Sequence, residues 1–201
     1  MSDKIWPYCT PGIADEDFVQ GNTPLTKEEV RVVLLSKTRI REEHVIYDIG
    51  AGSGSISVEA AILAKKGMVY AVEQDPVALK LIYKNKERFR TGNMTVIKGC
   101  APEVLNILPP ADRIIIGGSG GKLPEILAVC EEKLKEKGIL TVTAVTMNTL
   151  GTAQGLLDEP PWENLNIVQV AVTRAVKAEK FRILKALNPV FILTAERGRT
   201  E

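Results

Sequence analysis

The densest chemistry in the chain lies between positions 48 and 55, which read Asp48-Ile49-Gly50-Ala51-Gly52-Ser53-Gly54-Ser55, and at Glu73, 19 positions beyond Gly54. Alternate glycines allow dihedrals closed to other residues and let the backbone come close to a ligand. If the turn opens a helix, the first N–H groups of that helix favour an anion. An acid at the end of the next strand can accept hydrogen bonds from both hydroxyls of a ribose. A carboxylate such as Asp48 would repel a pyrophosphate but could serve a cationic amino group. The competing reading is a plain tight loop.

Two nucleoside cofactors share the need for Glu73, so that residue alone does not separate them. The dinucleotide fingerprint G-x-G-x-x-G/A puts its third small residue at Ser55. The chain instead carries D-x-G-x-G-x-G, with the additional Gly54. S-adenosylmethionine has an amino group, a carboxylate and no phosphate. The glycine spacing and Asp48 therefore favour it over NAD. A non-enzymatic protein that keeps the same pocket is a third class.

The elements that must hold these residues can be read from periodicity. Helices are expected over 27–37, 55–65, 76–89, 102–107, 122–136 and 148–157. Strands are expected over 45–49, 68–73, 94–98, 112–116 and 139–145. Thr26 and Glu29 have capping-box spacing for the first helix. Asp75-Pro76 is a cap followed by a first-turn proline, and Gly138 suits a helix C-terminus. Such alternation predicts an α/β fold, a doubly wound, mostly parallel seven-stranded sheet. Residues 166–174 and 190–194 have little room for a helix between them, so they should pair antiparallel at one sheet edge. Residues 1–25, rich in Pro and Gly, read as an irregular N-terminal arm of a single domain over 1–201.

Composition narrows the partners. The chain has 201 residues, 26 basic and 25 acidic, for a net charge of +1. Bulk charge gives no case for nucleic acid or a membrane surface. Cys9, Cys100 and Cys130 are scattered and form no CxxC pair, and His44 is the one histidine. No metal site is expected, and the pattern suits a reducing cytoplasm. The N-terminus lacks the continuous apolar core of a signal peptide. The uncharged run over 138–157 reads as a buried strand, a loop and a helix start, not a membrane span. His44 precedes the first strand and is expected at the surface, away from the ligand. Trp6 and Trp162 are expected to pack.

The arrangement resembles the class I S-adenosylmethionine-dependent methyltransferases. The ordered set TPGIADEDF, PLTKEEVR, DIGAGSGSISVEAA, KGCAPEVL, IIIGGSGG and KALNPVFIL, from about Pro11 to Leu193, is similar to one family among them. That family is the decarboxylating precorrin methyltransferase of cobalamin biosynthesis, which acts on carbon 15 of the corrin precursor. The resemblance implies cofactor contacts at Thr26, Gly50, Ala51, Gly52, Ser53, Gly54, Glu73 and, beside the adenine, Ala101. It implies methylation of carbon 15 of cobalt-precorrin-6B, or the metal-free analogue, with loss of the ring C acetate as carbon dioxide. It also implies a homotetramer and a carbon-5 methyltransferase as functional partner. An RNA or protein methyltransferase of the same fold is the alternative.

Methyl transfer is an in-line displacement whose main demand is placement of donor and acceptor, so no nucleophilic side chain is required. In class I methyltransferases the loop after the fourth strand faces the acceptor. Here it is Gly117-Gly118-Ser119-Gly120-Gly121, without the Asn/Asp-Pro-Pro-aromatic motif usual in base amine methylases. Four glycines leave room for a large flat acceptor. A polycarboxylate substrate calls for basic residues. Local excess occurs over 27–41, with Lys27, Arg31, Lys37, Arg39 and Arg41, and over 174–185, where Arg174, Lys177 and Arg182 are the candidates on a flap. Asp15, Glu16 and Asp17 could do acid–base work, but read first as solvated residues.

Overall fold

The computed structural model describes residues 6–199. The strand VIYDI forms β1, Val45–Ile49, and four of its five residues are buried. Burial on both faces requires a central place with cover on each side. β1 pairs in parallel with β2, Met68–Glu73, and with β4, Ala111–Ile116. β3, Met94–Lys98, extends the sheet beyond β2, and β5, Leu134–Ala144, extends it beyond β4. β9, Val190–Arg197, runs antiparallel beside β5, and β6, Trp162–Val170, pairs antiparallel with β9. The order is β3-β2-β1-β4-β5-β9-β6. The strand that breaks the parallel pattern, β9, therefore lies one place in from the edge.

Helices α1, Glu28–Thr38, α2, Ser55–Leu63, and α3, Pro76–Arg88, with α4, Leu123–Lys133, and α5, Met147–Leu157, cover the sheet. Two apolar clusters result. One holds Leu34, Ile46, Val69 and Ile82, and the other Tyr47, Ile114, Leu127 and Leu140. Trp162 is buried in the second, as expected for a packing residue. The longest helix has 13 residues, and none among the described residues is long and apolar enough to cross a membrane.

Local signals held where one or two residues set them. Asp75 accepts from the backbone N–H of Val77 at 3.1 Å and of Ala78 at 3.2 Å, with Pro76 in the first turn of α3. They failed where a distant group supplies the contact. Thr26 does not cap α1. The N-cap position is Lys27, and the N–H of Glu28 donates instead to Asp15 Oδ1 at 2.9 Å. Asp15 is thus a buried structural acid, not the solvated residue its acidic neighbours suggested. His44 is also buried, its Nδ1 accepting from the Arg41 N–H at 3.1 Å. Burial and the Arg113 guanidinium hold its pKa below the ordinary imidazole range.

Other boundaries moved. The helix expected over 102–107 is a single 3-10 turn, Glu103–Leu105. α4 ends at Lys133, and β5 starts at Leu134, well before the expected residue 139. Gly138 consequently sits within β5, beside a register shift against β4. The strand expected over 166–174 is split. Its second half opens β7, Thr173–Ala178, which pairs with β8, Phe181–Ala186, as a separate two-stranded hairpin. Of the N-terminal arm, residues 1–5 lie outside the described residues.

Candidate active site

The carboxyl ends of the parallel strands meet along one rim, where an open α/β sheet places its ligand crevice. Two cavities lie there and Gly50 lines both. The smaller, about 180 Å³, is bordered by Glu73, Cys100, Ala101, Gly118, Ser119 and Gly120. The larger, about 410 Å³, is bordered by Thr26, the turn Gly50–Ser53, the start of α2, Gly117 and residues flanking β9 and the hairpin.

Gly50, Gly52 and Gly54 all have positive φ, at 70°, 58° and 80°. The D-x-G-x-G-x-G spacing is thus a turn that visits the left-handed region at every second residue. Gly50 has a further constraint: a Cβ there would lie 2.4 Å from the carbonyl oxygen of Gly118. The turn after β1 and the loop after β4 touch backbone to backbone, at the residue that borders both cavities. Gly54 ends the turn as the N-cap of α2 with no side-chain cap. The first N–H groups of α2, with Ser55 and Ile56 on the larger cavity, remain for an anion.

Glu73 is held in place by three backbone donors. Its Oε2 accepts from Gly52 N–H at 2.9 Å, and its Oε1 from Gln74 and Asp75 N–H at 2.8 Å each. A carboxylate offers about four lone-pair sites, so roughly one stays open toward the smaller cavity. Asp48 lies fully buried beneath the turn. Its Oδ2 accepts from the Ser57 hydroxyl, while Oδ1 has no partner. Burial raises the carboxyl to about 6, partly opposed by the Ser57 hydrogen bond and reinforced by the charge on Glu73. Uncapped helix N–H groups on one cavity and an acid on the other make a donor and acceptor set suited to S-adenosylmethionine. Glu73 and Ala101 would hold its adenosyl half, and the glycine turn and the start of α2 its zwitterionic half; Asp48, fully buried and bordering neither cavity, braces α2 through Ser57 and does not meet the cationic amino group that the sequence suggested.

The predicted residues are not all brought together. Thr26, Gly50, Ala51, Gly52, Ser53, Glu73 and Ala101 border one cavity or both, whereas Gly54 borders neither and packs against Ile82 of α3. In the loop after β4, Gly117 borders the larger cavity and Gly118, Ser119 and Gly120 the smaller, while Gly121 borders neither. Arg174 is already engaged: its Nε and Nη2 donate to both oxygens of Glu29 at 2.8 and 2.5 Å, and Nη1 lies 3.0 Å from Asp15 Oδ2. The Arg174 hydrogen bonds hold the Glu29 carboxyl below its usual range. Lys177 and Arg182 face each other across the hairpin, exposed, and border neither cavity.

Sequence reasoning missed much of the apolar lining of the larger cavity. It is built from Pro24 and Leu25 of the arm, Val145 after β5, and Val172, Leu187 and Val190 around the hairpin. No local pattern marks these residues, which meet through long-range contacts. Arg31, part of the basic excess over 27–41, is fully buried and not available to a substrate. Its Nε lies 2.8 Å from Glu59 Oε1 and its Nη1 2.9 Å from Asp15 Oδ1, and it also donates to the carbonyls of Ile13 and Thr26. This guanidinium fixes the arm along the cavity.

Known proteins share this sequence and architecture. Residues 17–197 match the family model described as a precorrin methyltransferase domain. The probable cobalt-precorrin-6B C(15)-methyltransferase (decarboxylating) of Pyrobaculum calidifontis is 44% identical over 193 residues, covering 94% of this chain and 98% of the relative. The cobalt-precorrin-6B C(15)-methyltransferase (decarboxylating) of Salmonella typhimurium is 34% identical over 184 residues, covering 91% of this chain and 95% of the relative. The crystal structure of precorrin-6y C5,15-methyltransferase from Geobacter metallireducens GS-15 superposes with a TM-score of 0.89 at 38% identity, covering 93% of this chain and 98% of that one. With nearly the whole chain matched and the glycine turn, the acid after β2 and the sheet order all in place, this chain belongs to the precorrin methyltransferase family.

Proposed function

We propose that the chain, as a single methyltransferase domain, methylates carbon 15 of cobalt-precorrin-6B, or its metal-free analogue, and that the ring C acetate leaves as carbon dioxide, a step of cobalamin biosynthesis. The observation that carries the reading is the pair of cavities that Gly50 borders, in a chain whose relatives bear that activity in their names. S-adenosylmethionine supplies a methyl group already activated on its sulfonium. The chain's own part is placement. Thr26, Gly50, Ala51, Gly52, Ser53, Glu73 and Ala101 hold the cofactor, Gly54 closes the turn that carries them, and Gly117, on the larger cavity, stands beside the acceptor.

The larger cavity is mostly apolar, with Leu25, Val30, Ile56 and Val145 among its walls. Such walls suit the face of a macrocycle, whose conjugated system accepts the electrons released as carbon dioxide departs. Water excluded by them cannot shield the polar edges that orient it. The reading extends to a cytoplasmic homotetramer that works beside a carbon-5 methyltransferase. The three cysteines are free. Phe181 and Leu184 on the hairpin are 75% and 77% exposed, an apolar surface suited to contact with further copies of the chain.

Anaerobic incubation with S-adenosylmethionine and cobalt-precorrin-6B, followed by mass spectrometry of the macrocycle, tests the reading. Gain of one methyl with loss of one carbon dioxide is the expected product. Methyl gain alone would detach the decarboxylation. An unchanged macrocycle, with S-adenosylhomocysteine still bound, would mean a different acceptor.

A further inference from the structure

We propose that Lys27 anchors a carboxylate of the macrocycle that is retained in the product, and so sets which edge of the substrate faces the cofactor. The inference rests on the acceptor class proposed above. A substrate bearing many carboxylates calls for cations at its site, and the structure removes nearly every candidate. Arg31 is buried against Glu59 and Asp15. Arg174 is bidentate on Glu29. Lys37 and Arg39 border a separate cavity with Asn166 and Glu196, near the amino end of β5. Lys177 and Arg182 stand out on the hairpin.

Lys27 remains. Among the described residues it is the one charged side chain bordering the 410 Å³ cavity, and the side chain is 43% exposed. Its ion pair is loose, 3.9 Å to Asp15 Oδ2, and that oxygen already lies 3.0 Å from Arg174. The residue occupies the N-cap of α1 without capping it, and a cation there sits at the wrong end of the helix dipole. Neither capping nor helix electrostatics gives a structural reason for a lysine. An ammonium on an apolar cavity wall, lightly held, can exchange its weak contact for a charge-assisted hydrogen bond to a ligand carboxylate.

The chemistry decides which carboxylate. An ammonium paired with the departing acetate would stabilise it against loss of carbon dioxide and slow turnover. A partner elsewhere on the macrocycle contributes equally to ground state and transition state, and therefore appears in KM and not in kcat.

The test compares wild type, Lys27→Gln and Lys27→Arg, with Lys180→Gln as a hairpin control. Rates of S-adenosylhomocysteine release are measured against cobalt-precorrin-6B concentration at low and high salt, and S-adenosylhomocysteine affinity by calorimetry. Lys27→Gln should raise KM for the macrocycle roughly ten-fold or more, the factor for one lost charge-assisted hydrogen bond. Its kcat should stay within about two-fold, its S-adenosylhomocysteine affinity should be unchanged, and the salt dependence of KM should weaken. Lys27→Arg should recover most of the loss, and Lys180→Gln should match wild type. An unchanged KM in Lys27→Gln, or equal losses for macrocycle and S-adenosylhomocysteine, overturns the inference while wild-type turnover upholds the proposed function. A changed kcat with KM unmoved also overturns it. Absence of turnover by the wild type overturns both.

Discussion

Replacing Glu73 by glutamine should weaken cofactor binding while leaving the fold intact, and the structure sets the size of the effect. Glu73 Oε2 accepts from the Gly52 N–H at 2.9 Å, and Oε1 serves Gln74 and Asp75. Glutamine keeps one acceptor. Its NH₂ cannot accept, so either Gly52 or a ribose hydroxyl loses its partner. Loss of one hydrogen bond to a charged group is worth about 1.5–3 kcal/mol, or roughly 10- to 150-fold in Kd. Calorimetric titration with S-adenosylhomocysteine and with S-adenosylmethionine measures it. The two ligands share the ribose and differ in the sulfonium charge. If Glu73 reads the ribose, both should weaken by the same factor. A loss confined to S-adenosylmethionine would mean that Glu73 senses the sulfonium, and an unchanged Kd for both would place the ribose elsewhere.

Glu59→Gln should leave the buried Arg31 guanidinium short of a counter-charge. Breaking such a pair costs about 3–5 kcal/mol, so calorimetric Tm should fall by roughly 6–20 °C; a shift under about 2 °C would show that Asp15 alone suffices. Asp48→Asn should stabilise the ligand-free protein, because the folded carboxyl titrates near 6 instead of 3.8. The native state then holds the proton more tightly than the unfolded chain, so stability falls as pH rises from about 4 to 6, and the cost is complete above that window. The substitution should raise Tm at pH 7.5 by about twice as much as at pH 5, with a gain on the order of 2–3 kcal/mol at the higher pH; an equal gain at both pH values would refute the titration. Phe181→Ser with Leu184→Ser should lower the oligomeric state seen by light scattering without unfolding the chain; unchanged assembly would place the interface away from the hairpin.

The glycine turn and the acid of the candidate site are legible in the sequence because their determinants are local. One strand end, three glycines, one helix start and one acid lie within 48–73, and each obeys a rule that needs no distant partner. Asp75-Pro76 was legible for the same reason. The acceptor half was not. Its walls come from the arm, from residues after β5 and from the hairpin, more than 150 positions apart in the chain. Thr26 was read as a cap because its spacing to Glu29 fits, yet Asp15, 13 positions before Glu28, supplies that hydrogen bond. Charge was misleading in the same way. Arg31 and Arg174 count as surface cations by type, and only tertiary contacts show that both are spent on carboxylates.

Those contacts explain how an irregular arm becomes part of a binding site. Arg31 ties the carbonyls of Ile13 and Thr26, the acid of the arm at Asp15, and α2 at Glu59. Glu59 in turn accepts from the Gly12 N–H at 2.8 Å. Arg174 joins the same cluster from β7, through Asp15 and Glu29. One group of charges, buried at Arg31, Asp15 and Glu59 and half-buried at Arg174 and Glu29, therefore connects the arm, α1, α2 and β7, elements that lie in or beside the lining of the larger cavity. A buried ion pair is a weak source of net stability, since desolvation offsets much of the attraction. Its geometric demand is strict: each carboxylate must meet a guanidinium or remain an uncompensated charge. An apolar contact could hold the arm nearby in several positions, whereas this cluster is satisfied in one, and that one places Thr26 and Lys27 in the cavity lining together with Thr143 and Val145.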